Sequence, residues 1–164
     1  MFTGRPTRLR NVSYVGYGRY FLTFCTHHRR LHFSDAATVF QTLTHILRAA
    51  EQERFAVVAY CFMPDHLHLL VAGCSEQSDG RRFITLAKQF SGYAYSKSHN
   101  EPLWQRYAYE HVLRSEDQTL PVARYILENP IRAGLAVSPT EYPFSGSTVH
   151  PKEAIVEATA WRPT

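Results

Sequence analysis

Hydrophobic positions along the chain change period several times, and each change predicts an element. Tyr20 to Thr26 is a continuous aromatic and β-branched run that predicts a strand, ended by the polar, basic His27 to Arg30. From Ala36 the apolar residues Val39, Phe40, Leu43, Ile46, Leu47 and Ala50 recur at three- and four-residue intervals, which predicts a helix reaching about Glu53 with Ser34 or Asp35 as its cap. Ala56 to Met63 and His66 to Val71 are two strand-like runs joined by Pro64-Asp65, a pair suited to a tight reversal, so they predict a hairpin.

After a loop around Ser75 to Gly80, helical spacing returns at Phe83, Leu86, Ala87, Phe90 and Ala94. Trp104 to Arg114 carries aromatic residues compatible with a fourth strand. Ser115 with Gln118 matches a capping box, although Pro121 fits only a first turn and moves the expected helix start to Thr119. Asn129-Pro130 is expected to end that helix, because the residue before proline is pushed out of the α region. Pro130 to Gly134 has room for one short turn, and the remainder from Ser138 is expected to be irregular. The order β-α-β-β-α-β-α predicts an α+β, ferredoxin-like or RRM-like antiparallel sheet with helices packed on one face. The other face is then left for function.

Composition narrows the classes. The chain has 164 residues, 45% hydrophobic and 20% charged, which fits one ordinary globular domain and argues against disorder or fibrous repeats. It contains no apolar stretch near the roughly 20 residues needed to span a bilayer, so no membrane partner and a cytoplasmic location are expected. Cys25, Cys61 and Cys74 form no CxxC pair, which excludes a disulfide framework or a four-cysteine zinc site. The net charge of +4 conceals an asymmetry: Arg5, Arg8, Arg10, Arg19, Arg29 and Arg30 all precede Asp35, the first acid. Fifteen of the 18 basic residues are arginine, a bias toward planar contacts with phosphates and bases that equally fits a solvated surface.

His66-Leu67-His68 carries the candidate chemistry. In a strand, residues i and i+2 share a face, so both imidazoles point one way while Leu67, Leu69 and Val71 point toward the helices. This pair is half of a metal site or decoration of a polar sheet face. Tyr125 and Asn129, four apart on the third helix, also share a face, and the Asn129 amide is an oxygen donor suited to a hard cation. Two histidines and one amide make an open mixed set that suits Mg²⁺ or Mn²⁺ and leaves room for a phosphate oxygen, with Tyr125 as a candidate nucleophile.

Tyr60 to Val71 (YCFMPDHLHLLV), Leu103 to Gln105, His111 to Arg114, Arg124 to Leu135 (RYILENPIRAGL) and Glu141 to Ser145 together resemble the HUH single-tyrosine transposases, and among them the REP-associated tyrosine transposases related to IS200 and IS605. The resemblance extends from about Tyr14 to Ser147. It implies an HUH endonuclease fold, a single catalytic domain over 1–147 with a basic N-terminal segment and a C-terminal tail over 148–164. It also implies a metal-dependent strand transferase acting on single-stranded DNA beside hairpins such as REP elements. In it His66 and His68 match the metal ligands, Tyr125 the attacking tyrosine and Asn129 a third ligand. Arg5, Arg8, Arg10, Arg81, Arg82 and Lys88 would hold DNA backbone, and His111 on a neighbouring strand would be a supporting partner of the metal ligands or a structural histidine. Two rivals stay open: a non-catalytic RRM-like nucleic-acid-binding module, and a zinc-dependent hydrolase using His66, His68 and Cys61 or Cys74.

Overall fold

A computed structural model of the chain describes residues 13–159. The first strand, β1 (Arg19–Cys25), leads through two short 3₁₀ turns to α1 (Ala36–Gln52). The hairpin β2 (Phe55–Met63) and β3 (His66–Gly73) follows, then α2 (Gly80–His99), β4 (Tyr109–Leu113), α3 (Thr119–Arg132), a two-residue β5 (Ser145–Gly146) and α4 (Lys152–Thr159). All pairings in the sheet are antiparallel and the strand order is β4-β1-β3-β2-β5. The α+β class, the hairpin and the start of α3 are as the sequence predicts.

Local chemistry explains the helix starts. The Asp35 carboxylate accepts from the Thr38 N–H at 3.1 Å and caps α1, and Asp79 accepts from the Arg81 and Arg82 N–H groups at the start of α2. Alternation along β1 and β3 then sends Tyr20, Leu22, Phe24, Leu67, Leu69 and Val71 into one core with Val39 and Ile46 of α1 and Phe83 and Ala87 of α2.

The opposite sheet face has a core of its own. Cys61, Met63 and Leu70 pack there with Ala123, Ile126 and Leu127 of α3 and Ile155 of α4. Thus α1 and α2 share one face as expected, whereas α3 and α4 lie on the other, the face that carries His66 and His68. The histidines therefore stand at the margin of a second core rather than on an uncovered surface.

Three local expectations are corrected. Trp104 lies outside the fourth strand; it forms an isolated bridge with Thr26 and its indole N–H donates to Ser91 at 2.9 Å. The segment from Ser138, expected to be irregular, contains β5 and α4, with the Tyr142 hydroxyl donating to the Phe62 carbonyl at 2.6 Å. Pro130 does not end α3, which continues to Arg132. Burial of the Pro130 ring and the bond from the Ala133 N–H to the Asn129 carbonyl at 3.1 Å outweigh the local bias of a residue before proline.

The stop signal is Gly134, with φ of 72°. The Leu135 N–H donates to the Pro130 carbonyl at 2.8 Å and the Gly134 N–H to Ile131 at 3.0 Å, the paired bonds of a Schellman cap. Replacing Gly134 with alanine should cost about 1 kcal/mol, because an L side chain is strained in the left-handed region. Urea unfolding of Gly134→Ala against the wild type measures this, and an unchanged midpoint would reject the cap as the terminator.

Candidate active site on the sheet face

The hairpin turn positions the first half of the site. Register pairs Cys25 with His66 and Thr23 with His68, so these four side chains point to one face. The Nε2 atoms of His66 and His68 converge to 3.2 Å. Each ring is held by its other nitrogen: His66 Nδ1 lies 2.7 Å from an Asp65 carboxylate oxygen and His68 Nδ1 lies 2.9 Å from the Thr23 hydroxyl.

The charges fix the protons. Burial alone would raise the Asp65 carboxyl, but hydrogen bonds from His66 and Arg29 outweigh it and hold the group below its ordinary range, with Arg29 Nε donating at 2.8 Å. Asp65 is therefore an acceptor for His66 Nδ1, which leaves His66 Nε2 directed at His68. Burial, and then the neighbouring charges of His66 and Arg132, push the His68 imidazole down to about 3. His68 is neutral at physiological pH.

Two imidazoles whose Nε2 atoms lie 3.2 Å apart fit a divalent cation. Nitrogens bound at right angles to one ion at about 2.1 Å would stand about 3 Å apart. Among the described residues no cluster of three or more His, Cys, Asp or Glu side chains forms, so the pair would hold an ion in an open site completed by other donors. The cysteines do not join it. Burial pushes the Cys61 thiol up to about 12 and its sulfur contacts Met63, while Cys74 is exposed beyond the end of β3 and touches the Ala72 carbonyl.

The second half comes from α3. Tyr125 is 49% exposed and its ring meets Phe21 edge-on at 6.1 Å, while Phe21 meets His68 at 5.5 Å. One aromatic residue thus bridges the tyrosine and the histidines. Because α3 continues past Pro130, Asn129 lies inside the helix rather than at a fraying end, half-buried and one turn after Tyr125. The same continuation brings Arg132 back over the Tyr125 ring at 4.1 Å, with its guanidinium also donating to the Tyr125 carbonyl at 2.6 Å.

Phe21, Thr23, Arg29, Asp65 and Arg132 escaped the sequence reading. Register alone shows that Thr23 faces His68, and Arg132 reaches Tyr125 only through a helix that a proline was expected to stop.

The expected DNA-contacting and supporting residues are dispersed. Arg5, Arg8 and Arg10 lie outside the described residues. Arg81 stacks over Tyr14 at 4.6 Å and Arg82 pairs with Glu53 at 2.7 Å, both on α2 and away from the histidines. Lys88 turns inward: its ammonium donates to the carbonyls of Gln105 and Arg106 at 2.6 and 3.1 Å, and burial lowers it to about 8. Its placement suits bracing the loop before β4, not gripping phosphate. His111 is exposed on β4 opposite Phe21, sharing the histidines' face without bonding to either.

Residues 15–129 match the family described as Transposase IS200 like. The chain belongs to that family. These transposases are DNA nicking and joining enzymes. Among its relatives, the chain is 26% identical over 134 residues to the REP-associated tyrosine transposase of Escherichia coli K12, covering 80% of this chain and 78% of that protein. A solved structure of a REP-associated tyrosine transposase bound to a REP hairpin superposes with a TM-score of 0.71 at 20% identity, over 85% of this chain and 82% of that one. The likeness to the solved structure extends to the fold. Among the described residues of this IS200-like transposase, no helix is long and apolar enough to cross a membrane.

The inward turn of Lys88 gives a direct test. Lys88→Met should lower the thermal midpoint by several degrees, since a lost bond to a charged group costs about 1.5–3 kcal/mol. The slope of log K for DNA against log salt should not change, whereas a lost phosphate contact would reduce it by about 0.7. A reduced slope at unchanged stability would restore Lys88 to the DNA interface.

Proposed function

We propose that this IS200-like transposase is a metal-dependent, single-stranded DNA endonuclease and strand transferase that forms a 5′-phosphotyrosine on Tyr125 beside DNA hairpins. The observation that carries the reading is the convergence of the His66 and His68 Nε2 atoms to 3.2 Å on the face where Tyr125 stands. The hairpin preference draws on the REP hairpin bound by the structural relative.

His66, His68 and the amide of Asn129 would hold Mg²⁺ or Mn²⁺. A bound divalent cation supplies Lewis-acid polarisation of a phosphate oxygen and charge neutralisation. The protein's own groups do the rest. Asp65 and Thr23 hold the two imidazoles so that their Nε2 atoms stay aimed at one point. Phe21 and Arg132 hold the Tyr125 ring edge and face, limiting the directions its hydroxyl can take.

The phenol oxygen forms a bond to phosphorus as the bond to the 3′ oxygen breaks. The phenol proton is lost, and the departing strand leaves as a free 3′-OH after taking up a proton. The strand's 5′ end stays on Tyr125. A 3′-OH can then attack the phosphotyrosine, releasing the phenol and rejoining DNA without ATP, because the phosphodiester is exchanged rather than hydrolysed. Only the phosphotyrosine allows this. A non-catalytic RRM-like module would bind DNA and leave no adduct.

Incubating the protein with Mn²⁺ and labelled hairpins bearing single-stranded arms tests the reading, with a denaturation-resistant adduct as readout. Tyr125→Phe should abolish the adduct and leave DNA binding within about twofold. An adduct that persists in this variant, or maps to another tyrosine, would displace Tyr125.

His66→Ala and His68→Ala should each abolish adduct formation. The His68 variant should also lose stability, because its ring is packed on Phe21 and bonded to Thr23. Full activity of the double variant with chelator present would reject metal dependence. Arg132→Ala should slow adduct formation by about 10- to 100-fold at saturating DNA, as expected when a nucleophile is poorly held, with little change in Kd. An unchanged rate would show that the stacked guanidinium does not position Tyr125.

A further inference from the structure

The histidine face is covered unevenly. Its β2 and β3 side carries α3 and α4, whereas β4 on the far side is an edge strand. Register places Tyr109 opposite Thr23 and His111 opposite Phe21, so Phe21, Tyr109 and His111 share the face of His66 and His68. Tyr109 is 52% exposed, His111 is exposed, and the Tyr109 ring meets Phe21 edge-on at 6.4 Å. Since Phe21 also touches Tyr125 and His68, an aromatic surface runs without a break from the edge strand to the tyrosine. One exposed aromatic is unremarkable; a connected set beside a nucleophile is not.

The other side of Tyr125 has the opposite chemistry. A groove of about 590 Å³ there is lined by Glu116, Asp117 and Glu128 together with Arg124, whose guanidinium is already bonded to Glu128 at 2.6 Å. Glu116 there is paired with Arg19 at 3.0 Å, and Tyr125 is the one aromatic residue in the lining of that groove. On β4, Glu110 points to the opposite face, where it accepts from the Tyr14 hydroxyl at 3.2 Å. The aromatic surface is therefore free of that carboxylate.

We propose that Phe21, Tyr109 and His111 form a stacking subsite for unpaired bases of the DNA strand next to the scissile phosphate. The assignment rests on the strand-transferase reading and adds to it the path of the substrate, which crosses the sheet toward β4. Aromatic side chains accept any base face, so the subsite selects single-stranded over paired DNA without reading sequence.

Fluorescence anisotropy in chelator, where no strand is cut, tests the proposal. The probes are a labelled DNA hairpin with single-stranded arms, the same hairpin without arms, and one whose arms are abasic. Tyr109→Ala should weaken binding to the armed hairpin about 5- to 100-fold, the range for one stacked base. Tyr109→Phe should bind like the wild type, and His111→Ala, at an exposed position, should weaken binding in the same direction. The blunt and abasic probes should bind all variants alike.

Equal binding of the armed hairpin by wild type and both alanine variants would overturn the subsite, as would an equal loss on the blunt hairpin. The abasic arm tests the wild type directly: if it binds as tightly as the natural arm, no base stacks there. Failure of the wild type to bind any probe would reject the strand-transferase reading itself, and the subsite with it.

Discussion

Pairing of β1 with β3 at the centre of the sheet is the constraint on which the site depends. Because side chains alternate, a slip of one residue would send Thr23 and Phe21 into the α1/α2 core and place Leu22 and Phe24 beside the histidines. The register is pinned where it matters. The Thr26 N–H donates to the Asp65 carbonyl at 3.0 Å and the Phe33 N–H to the Pro64 carbonyl at 3.0 Å, fastening the hairpin turn to the end of β1. The same turn carries Asp65, whose carboxylate joins Arg29 to His66. A structural clamp and the orientation of a candidate metal ligand thus share Asp65.

Continuity of α3 is the second requirement. Tyr125, Asn129 and Arg132 fall on one side of a helix only if the backbone stays helical through Pro130. A proline in a helix interior removes one hydrogen bond and costs about 3 kcal/mol or more, so the buried contacts of Ala123, Ile126 and Leu127 have to offset that cost. What those contacts hold in place is a guanidinium over the tyrosine ring and a positive charge near His68. Packing on the second core and placement of Tyr125, the proposed nucleophile, are therefore coupled through one helix.

Much of this was legible in the sequence, and the failures share a cause. The first three strands, the hairpin, the starts of α1 to α3 and the shared direction of His66 and His68 follow from local period and capping chemistry, which a single chain displays. The end of α3 did not follow, because the bias of Asn129 before Pro130 is local whereas the burial that overrides it is tertiary. Thr23 and Phe21 looked like ordinary strand residues, since only cross-strand register reveals that they face His68. Lys88 sat at a polar helical position that suggests solvent, yet the loop of Gln105 and Arg106 folds over it and presents two carbonyls. Position in sequence shows that a lysine is charged; the fold decides what that charge meets.

The uneven cover of the histidine face explains how one surface can be both core and the proposed substrate path. Leu70 and Cys61 on the β2 and β3 side need α3, and burial at the edge of that packing keeps His68 neutral. Were the helix to extend its cover over β4, the histidines would be sealed from any polymer. Were it absent, His68 would be hydrated and protonated more readily, and Tyr125 would lose its scaffold. Tyr125 stands half-exposed on α3, in edge contact with Phe21 of β1, at the boundary between the covered and open regions. In the proposed reading, a tyrosine at that boundary can reach a phosphate lying over the open strands while remaining attached to the buried core through α3.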